Sequence, residues 1–284
     1  MARPSAAIPE FDDASPWGRY RPSPAIAARL ALSHLMPPAL AWATKALRKA
    51  VKYQVMTPLD LTIWGLKLRL LPRGNISEEK LYTAPQLFDR EEFATIARLL
   101  QPGGVFVDVG ANAGVYSFWA HHCMRGQGRI IAVEPDPEMA RRITFNQRSN
   151  ALVDIDLCQI ALSDHEGMAE FYINPQQRGT NTLEVTEAKQ TGGGRIATQV
   201  QLTTLLALLQ SRGIASVDVL KMDIEGHEQT VLRHFLEFAP EALWPRAVIS
   251  EFKDSTQDGI LALLTARGYR RNETTKLNFI FERG

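Results

Sequence analysis

The chain predicts an α/β protein: an open, mostly parallel sheet with helices on both faces, closed by an antiparallel pair of strands near its C-terminal end. Three observations carry that expectation. Short apolar runs recur at Val105-Phe106-Val107-Asp108-Val109, Ile130-Ile131-Ala132-Val133 and Val219-Leu220-Lys221-Met222, the pattern of strands buried on both faces. Helical spacing follows the runs, opened by residues such as Asp136-Pro137, with proline well placed in a first turn. Residues with acid–base or hydrogen-bonding chemistry collect at the carboxyl ends of the runs, where open α/β sheets hold their ligands.

Taken in order, residues 1–23 carry scattered prolines and no periodicity, and read as a loose tail. Residues 25–42 are rich in Ala and Leu and predict two short helices broken at Pro37-Pro38. Arg19 and Arg21 ahead of this apolar run leave a signal peptide as the competing reading, weakened by Arg29 and the doubled proline. The second helix holds Lys45, Arg48, Lys49 and Lys52, a basic face that is either solvated or set against a membrane surface or an acidic partner. Alternation over residues 61–70, with Gly65 as a bend, predicts a strand or hairpin. These elements form an N-terminal extension over residues 1–85, and residues 86–284 form the main domain. That domain opens with a helix over 89–100, stopped by Pro102-Gly103-Gly104. Strands follow at 105–109, 129–134, 155–160, 218–223 and 247–252. Helices begin at Val115 and Asp136, run from Gly226 through Phe238, and cover 257–267. Residues 269–271 and 278–281 make the closing pair.

With 284 residues, 45% of them hydrophobic and 22% charged, the chain can bury a full core. A formal net charge of +1 speaks against broad capture of a phosphate backbone, so no nucleic-acid partner is expected. Two cysteines, Cys123 and Cys158, make neither a disulfide framework nor a structural zinc module, and point to a reducing, cytoplasmic setting. No stretch approaches twenty uninterrupted apolar residues.

Gly110 and Gly114 let the chain turn sharply after the first parallel strand. A dinucleotide fingerprint would require glycine at 112 and 115, which are Asn112 and Val115. Asp108, just ahead of the turn, suits an amino-bearing or cationic ligand better than a diphosphate. Glu134, at the end of the next strand, is placed to accept hydrogen bonds from a ribose diol. That spacing does not by itself separate NAD from an adenosyl sulfonium donor.

Val107-Asp108-Val109-Gly110-Ala111-Asn112-Ala113-Gly114-Val115-Tyr116-Ser117 resembles the first motif of FkbM-type S-adenosylmethionine-dependent methyltransferases. Val133-Glu134-Pro135 resembles their second, and Ala161-Leu162-Ser163-Asp164 their adenine-side loop. Lys221-Met222-Asp223-Ile224-Glu225-Gly226-His227-Glu228 resembles their most distinctive motif. The resemblance spans residues 88–282 and implies a class I methyltransferase (Rossmann-like) fold with a seven-stranded sheet. It also implies S-adenosyl-L-methionine as donor and, as acceptor, a hydroxyl of a sugar, glycan or glycosylated natural product. By matching position, Asp108, Gly110, Asn112 and Gly114 would line the methionine end, Glu134 would take the ribose, and Ser163 and Asp164 would sit by the adenine.

On the acceptor side, an alcohol needs a base, and Asp223, Glu225, His227 and Glu228 crowd the end of one strand, with Glu251 at the end of its neighbour. Three readings compete. Acidic groups at a helix amino end are stabilising on their own. His227 or Asp223 is a general base. A divalent metal could be held by Asp223 with Glu251 or Glu225, though no metal site is assigned. Asp223, His227 and Glu251 are the expected catalytic set. His121 and His122 read as packing histidines, and Tyr116 as either a donor-side or a core aromatic. Thr180-Asn181-Thr182 and Gly192-Gly193-Gly194 suggest a flap, where Arg178 and Arg195 would meet an acidic acceptor. Rival functions are methylation of protein or RNA, a nicotinamide-dependent oxidoreductase, and a non-catalytic binding module. Peripheral membrane contact through the N-terminal arm stays open.

Overall fold

The computed structural model describes residues 7–183, 194–252, 257–275 and 278–284. Gly192 and Gly193 of the expected flap lie outside them. Two helices, α1 (Pro24–His34) and α2 (Ala41–Gln54), meet at a corner containing Pro37 and Pro38 and lead into a hairpin, β1 (Leu59–Ile63) and β2 (Leu66–Leu70). Trp64 and Gly65 turn the hairpin with φ of 52° and 81°, the positive pair a two-residue hairpin loop needs to match strand twist. Helix α3 (Ile76–Thr83) has no strong periodic signal. It starts because the Asn75 side chain accepts the Ser77 and Glu78 amides. Helix α4 (Arg90–Leu99) comes where residues 89–100 predicted one.

The main sheet uses seven strands, in the order β11-β12-β10-β9-β3-β4-β5. They are β3 (Val105–Val109), β4 (Arg129–Val133), β5 (Ile155–Cys158), β9 (Val219–Met222), β10 (Ala247–Glu251), β11 (Tyr269–Thr274) and β12 (Asn278–Arg283). All pairings are parallel except those of β12, which runs against both β10 and β11. These are the five expected strands and the closing pair, with β5 and β9 each two residues shorter than anticipated. Helices α5 (Val115–Met124), α6 (Pro137–Asn150), α8 (Glu228–Phe238) and α9 (Gln257–Ala266) alternate with them. The chain runs outward from β3 through β4 to β5, then returns to place β9 on the other side of β3. That reversal opens a crevice at the carboxyl ends of β3 and β9.

A second, three-stranded sheet, β6-β8-β7, was not foreseen. It comprises β6 (Ala161–Ser163), β7 (Gly167–Ile173) and β8 (Ile196–Thr204), after which comes α7 (Leu205–Ser211). β6 is only three residues long, and β7 and β8 start with mostly exposed residues and bury side chains only toward their ends, so they lack the apolar runs that exposed the main sheet.

The N-terminal extension differs most from expectation. Part of the supposed loose tail is packed: Phe11 is buried edge-on against Phe145 of α6. Arg69 and Asp60 form a fully buried ion pair at 2.7 Å, and Asp60 also accepts the Gly18 and Tyr20 amides. The same guanidinium donates to the carbonyls of Asp12, Ser15 and Pro16. Ile26, Leu30, Val51 and Leu68 share one core with Phe106, Ile130 and Ile249 of the sheet. The change near residue 85 is therefore a change of element type and not a break in packing. Arg69→Leu should destabilise the protein by about 3–5 kcal/mol, because Asp60 would be left buried and uncompensated. Chemical denaturation, together with earlier proteolysis within residues 7–23, would check it.

Candidate active site

The pocket lies in that crevice, between the β3–α5 turn, the end of β4, the β5–β6 connection and the loop after β9. At its centre is Glu134. One carboxylate oxygen accepts the Asn112 amide at 2.7 Å and the other the Asp136 amide at 2.9 Å. The side chain thus ties the turn after β3 to the start of α6 while still lining the pocket. Gly110, at φ 76°, is glycine because a Cβ there would collide with the carbonyl oxygen of Asp223 on the adjoining loop. Gly114 precedes α5, and a Cβ there would press on Phe118 and Ile143. Its small size serves packing. It does not line the pocket, contrary to the expectation that it would sit against the donor.

Asp108 sits behind the pocket wall on β3, buried and bonded by the Ser117 hydroxyl at 2.7 Å. Its Oδ1 is buried with no hydrogen-bond partner, as is Oε2 of Glu251. Burial pushes the Asp108 carboxyl up, against the pull of the Lys221 ammonium. Lys221 is itself buried on β9, 3.0 Å from Asp223 and over the face of Tyr116. Tyr116 packs edge-on against Phe93, the core-aromatic reading, and donates to Asp89.

The adenine-side expectation needs correction. Ala161 and Leu162 line the pocket with Ile160 and Phe171, giving an apolar slot. Ser163 instead turns to His227, 3.1 Å from its Nε2, and Asp164 opens onto a separate surface cavity with Gln229 and Arg233. Ser163 is the last residue of β6 and Asp164 lies beyond it, so both sit past the part of the strand that lines the pocket. His227 is accordingly drawn toward Ser163 and does not line the pocket, so its place in the catalytic set is not supported by geometry. His121 bonds Asp154 and His122 stacks on Trp119, as packing histidines do.

Asp223 does line the pocket, half-exposed, and ligand oxygens of Asp223, Glu225 and Glu251 lie within 4.8 Å of one another. Such a trio can hold a divalent cation, but Lys221 already supplies a positive charge to Asp223. Glu228 is occupied by the amides of Ile224 and Gly226, so its carboxylate holds the loop's shape.

Sequence reasoning missed Asp136. It is fully buried, and accepts Arg178 Nη1 at 2.7 Å and Asn181 Nδ2 at 2.8 Å. That clamp draws residues 178–181 over the pocket, while Thr182 donates to the Glu225 carbonyl on its far side. Arg195 donates to the carbonyls of Thr180 and Tyr172. Both arginines are thus engaged in holding the flap rather than offered to an acidic acceptor. The enclosed space is about 50 Å³, well under the roughly 300 Å³ at the low end of small-molecule sites. Asn75, from the extension, reaches Asn112 and so touches the same turn. The only sequence sign of Asp136 was its position ahead of Pro137.

A seven-stranded sheet with one reversed strand, and a carboxylate-lined pocket at its switch point, define a class I methyltransferase. The family profile described as "Methyltransferase FkbM domain" matches residues 108–271. The chain belongs to the FkbM methyltransferase family. It is 28% identical over 201 residues to 31-O-demethyl-FK506 methyltransferase FkbM of Streptomyces tacrolimicus, covering 60% of this chain and 74% of that protein. It is 28% identical over 155 residues to methyltransferase sdnD of Sordaria araneosa, covering 45% of this chain and 58% of the relative. A crystal structure of methyltransferase FkbM from Methylobacillus flagellatus KT aligns with a TM-score of 0.41 at 14% identity, over 86% of this chain and 59% of that one, a likeness too slight to carry any argument.

Burial pushes Glu228 to about 7, Glu134 to about 8, and Glu251 to about 10, the last helped by the charges of Asp223 and Glu225; the ordinary value is 4.5. A raised carboxyl pKa means the folded chain keeps a proton that the unfolded chain has released. These groups therefore favour folding most at low pH, and their contribution falls from about pH 4.5 until each folded pKa is passed. The melting temperature of the ligand-free protein should decline between pH 6 and 9, and Glu251→Gln should flatten the upper part of that decline.

Proposed function

We propose that this chain is an S-adenosylmethionine-dependent O-methyltransferase whose acceptor is a hydroxyl of a sugar, glycan or glycosylated natural product. The observation that carries the reading is the pairing of a ribose-type carboxylate, Glu134, with a proton-accepting carboxylate, Asp223, across one pocket. The residues fit such a donor. The slot of Ile160, Leu162 and Phe171 suits a base, and Glu134 retains lone pairs toward the cavity. The unpartnered Oδ1 of Asp108 suits an ammonium group near the turn. When bound, the donor supplies a methyl group on a sulfonium that leaves as a neutral thioether.

The chain's own residues then have two tasks. The first is alignment, for which the turn at 110–114 and the flap over residues 178–182 fix the pocket walls. The second is removal of the acceptor's proton. Glu251 keeps its proton at neutral pH because it is buried beside Asp223, Glu225 and Glu228. Asp223, ion-paired with Lys221 at 3.0 Å and open to solvent on one side, is the neighbour placed to take a proton. Asp223 accepts the hydroxyl proton as the oxygen becomes a nucleophile, then passes it to water. The name of the Streptomyces relative, an O-demethyl compound's methyltransferase, supports oxygen as the receiving atom. Against a nicotinamide reading stands the Asn112 amide, which is taken by Glu134 rather than left open to a diphosphate.

Calorimetry should find binding of S-adenosylhomocysteine and none of NAD, with Glu134→Gln weakening the former by about 10- to 100-fold through one mispaired hydrogen bond. Heat with NAD alone would overturn the proposal. Asp223→Asn should lower kcat by about 10²- to 10⁴-fold on an accepted hydroxyl substrate while leaving S-adenosylhomocysteine affinity within a few-fold. An assay with and without EDTA checks that no metal participates.

A further inference from the structure

The corner between α1 and α2 lies apart from the donor pocket in the fold's construction, and it presents an unusual surface. Leu32, Leu35, Leu40 and Trp42 are all exposed, Leu35 by 83% and Trp42 by 71%. The prolines and Ala39 between them are exposed as well, so residues 35–42 form a nearly unbroken apolar tip. Along α2, Trp42, Lys45, Lys49 and Tyr53 follow at spacings of three and four, which sets them on one outward face. The opposite face, with Thr44 and Val51, is buried. An aromatic at each end of a lysine stripe is the composition of a helix lying at a membrane interface, where rings sit at headgroup level and lysine stems spread over apolar surface.

Charge points the same way. Residues 24–56 hold five of the chain's 32 Lys and Arg and none of its 31 Asp and Glu, so this segment is +5 while the rest of the chain is −4. Lys45 and Lys49 form no ion pair among the described residues, whereas Lys52 is engaged with Glu79. A second copy of this chain docking here about a two-fold axis would set lysine stripe against lysine stripe, which like charges oppose. A surface that is both negative and apolar just beneath satisfies both halves of the patch.

We infer that the α1–α2 corner docks on an anionic lipid bilayer, with the tip at residues 35–42 entering the headgroup boundary and Lys45 and Lys49 facing acidic headgroups. Nothing in it crosses the bilayer; no helix among the described residues is long and apolar enough to do so.

Co-sedimentation of the full chain with vesicles tests this, using phosphatidylcholine alone and phosphatidylcholine mixed with phosphatidylglycerol. Binding should be confined to the mixed vesicles and weaken as salt is raised. The double variant Lys45→Glu, Lys49→Glu should lose at least about 25-fold in affinity, at roughly fivefold per surface lysine. Leu35→Ser with Trp42→Ser should abolish binding while leaving the melting temperature unchanged. Absence of binding to mixed vesicles, or equal binding to both kinds, would overturn the inference. So would a concentration-dependent dimer that disappears in Trp42→Ser without any lipid binding.

Discussion

The carboxylate of Glu134 is the constraint on which the pocket depends. Each of its oxygens takes one backbone amide, from Asn112 and from Asp136. Three separate pieces of chain, the end of β4, the turn after β3 and the first turn of α6, are thereby held at one point. Burying a carboxylate is expensive, and burial here raises its pKa to about 8 even with two amides bound. The two amide hydrogen bonds offset part of that cost, and in turn the carboxylate keeps both amides paired. The loop's conformation, with Asn112 at φ 52°, is stabilised by the contact that also prepares a hydrogen-bond acceptor for a ligand.

A second carboxylate, Asp136, extends the same logic one residue pair further. It caps α6 through the Glu138 amide and simultaneously grips Arg178 and Asn181. The flap is thus attached to the element that Glu134 positions. On the other side of the crevice, acidic groups are sorted by their neighbours. Glu228 folds its own loop, Glu251 is buried among like charges, and Asp223 combines a counter-ion with access to solvent. Three acidic side chains in one region thus sit in three different settings.

The extension over residues 1–85 is part of the enzyme's structure. Its helices and hairpin share the sheet's core, and Asn75 contacts the turn that borders the donor pocket. Arg69 and Asp60 fasten the hairpin to the preceding tail, which in turn reaches α6 through Phe11. One side of this extension is spent on that packing, and its other side carries the apolar and basic corner.

What the sequence determined by itself was the main sheet and the addresses of its site. Runs such as Val105–Val109 and Val219–Met222 are apolar because strands buried on both faces admit little else, and turn chemistry at 110–114 and 136–137 marks where each ends. Strand ends are local facts, so Glu134 and Asp223 were legible. Side-chain direction was not. Ser163 and Asp164 occupy the right loop but turn to His227 and to a separate surface cavity, neighbours that only the fold brings there. His227 meets Ser163 across 64 positions of chain. Gly114 serves Phe118 and Ile143, partners that only the fold brings near it. Likewise, Asp136 clamps residues more than forty positions away, and Phe11 finds Phe145. Such long-range pairings leave no periodic trace in the chain, and tertiary packing alone decided them.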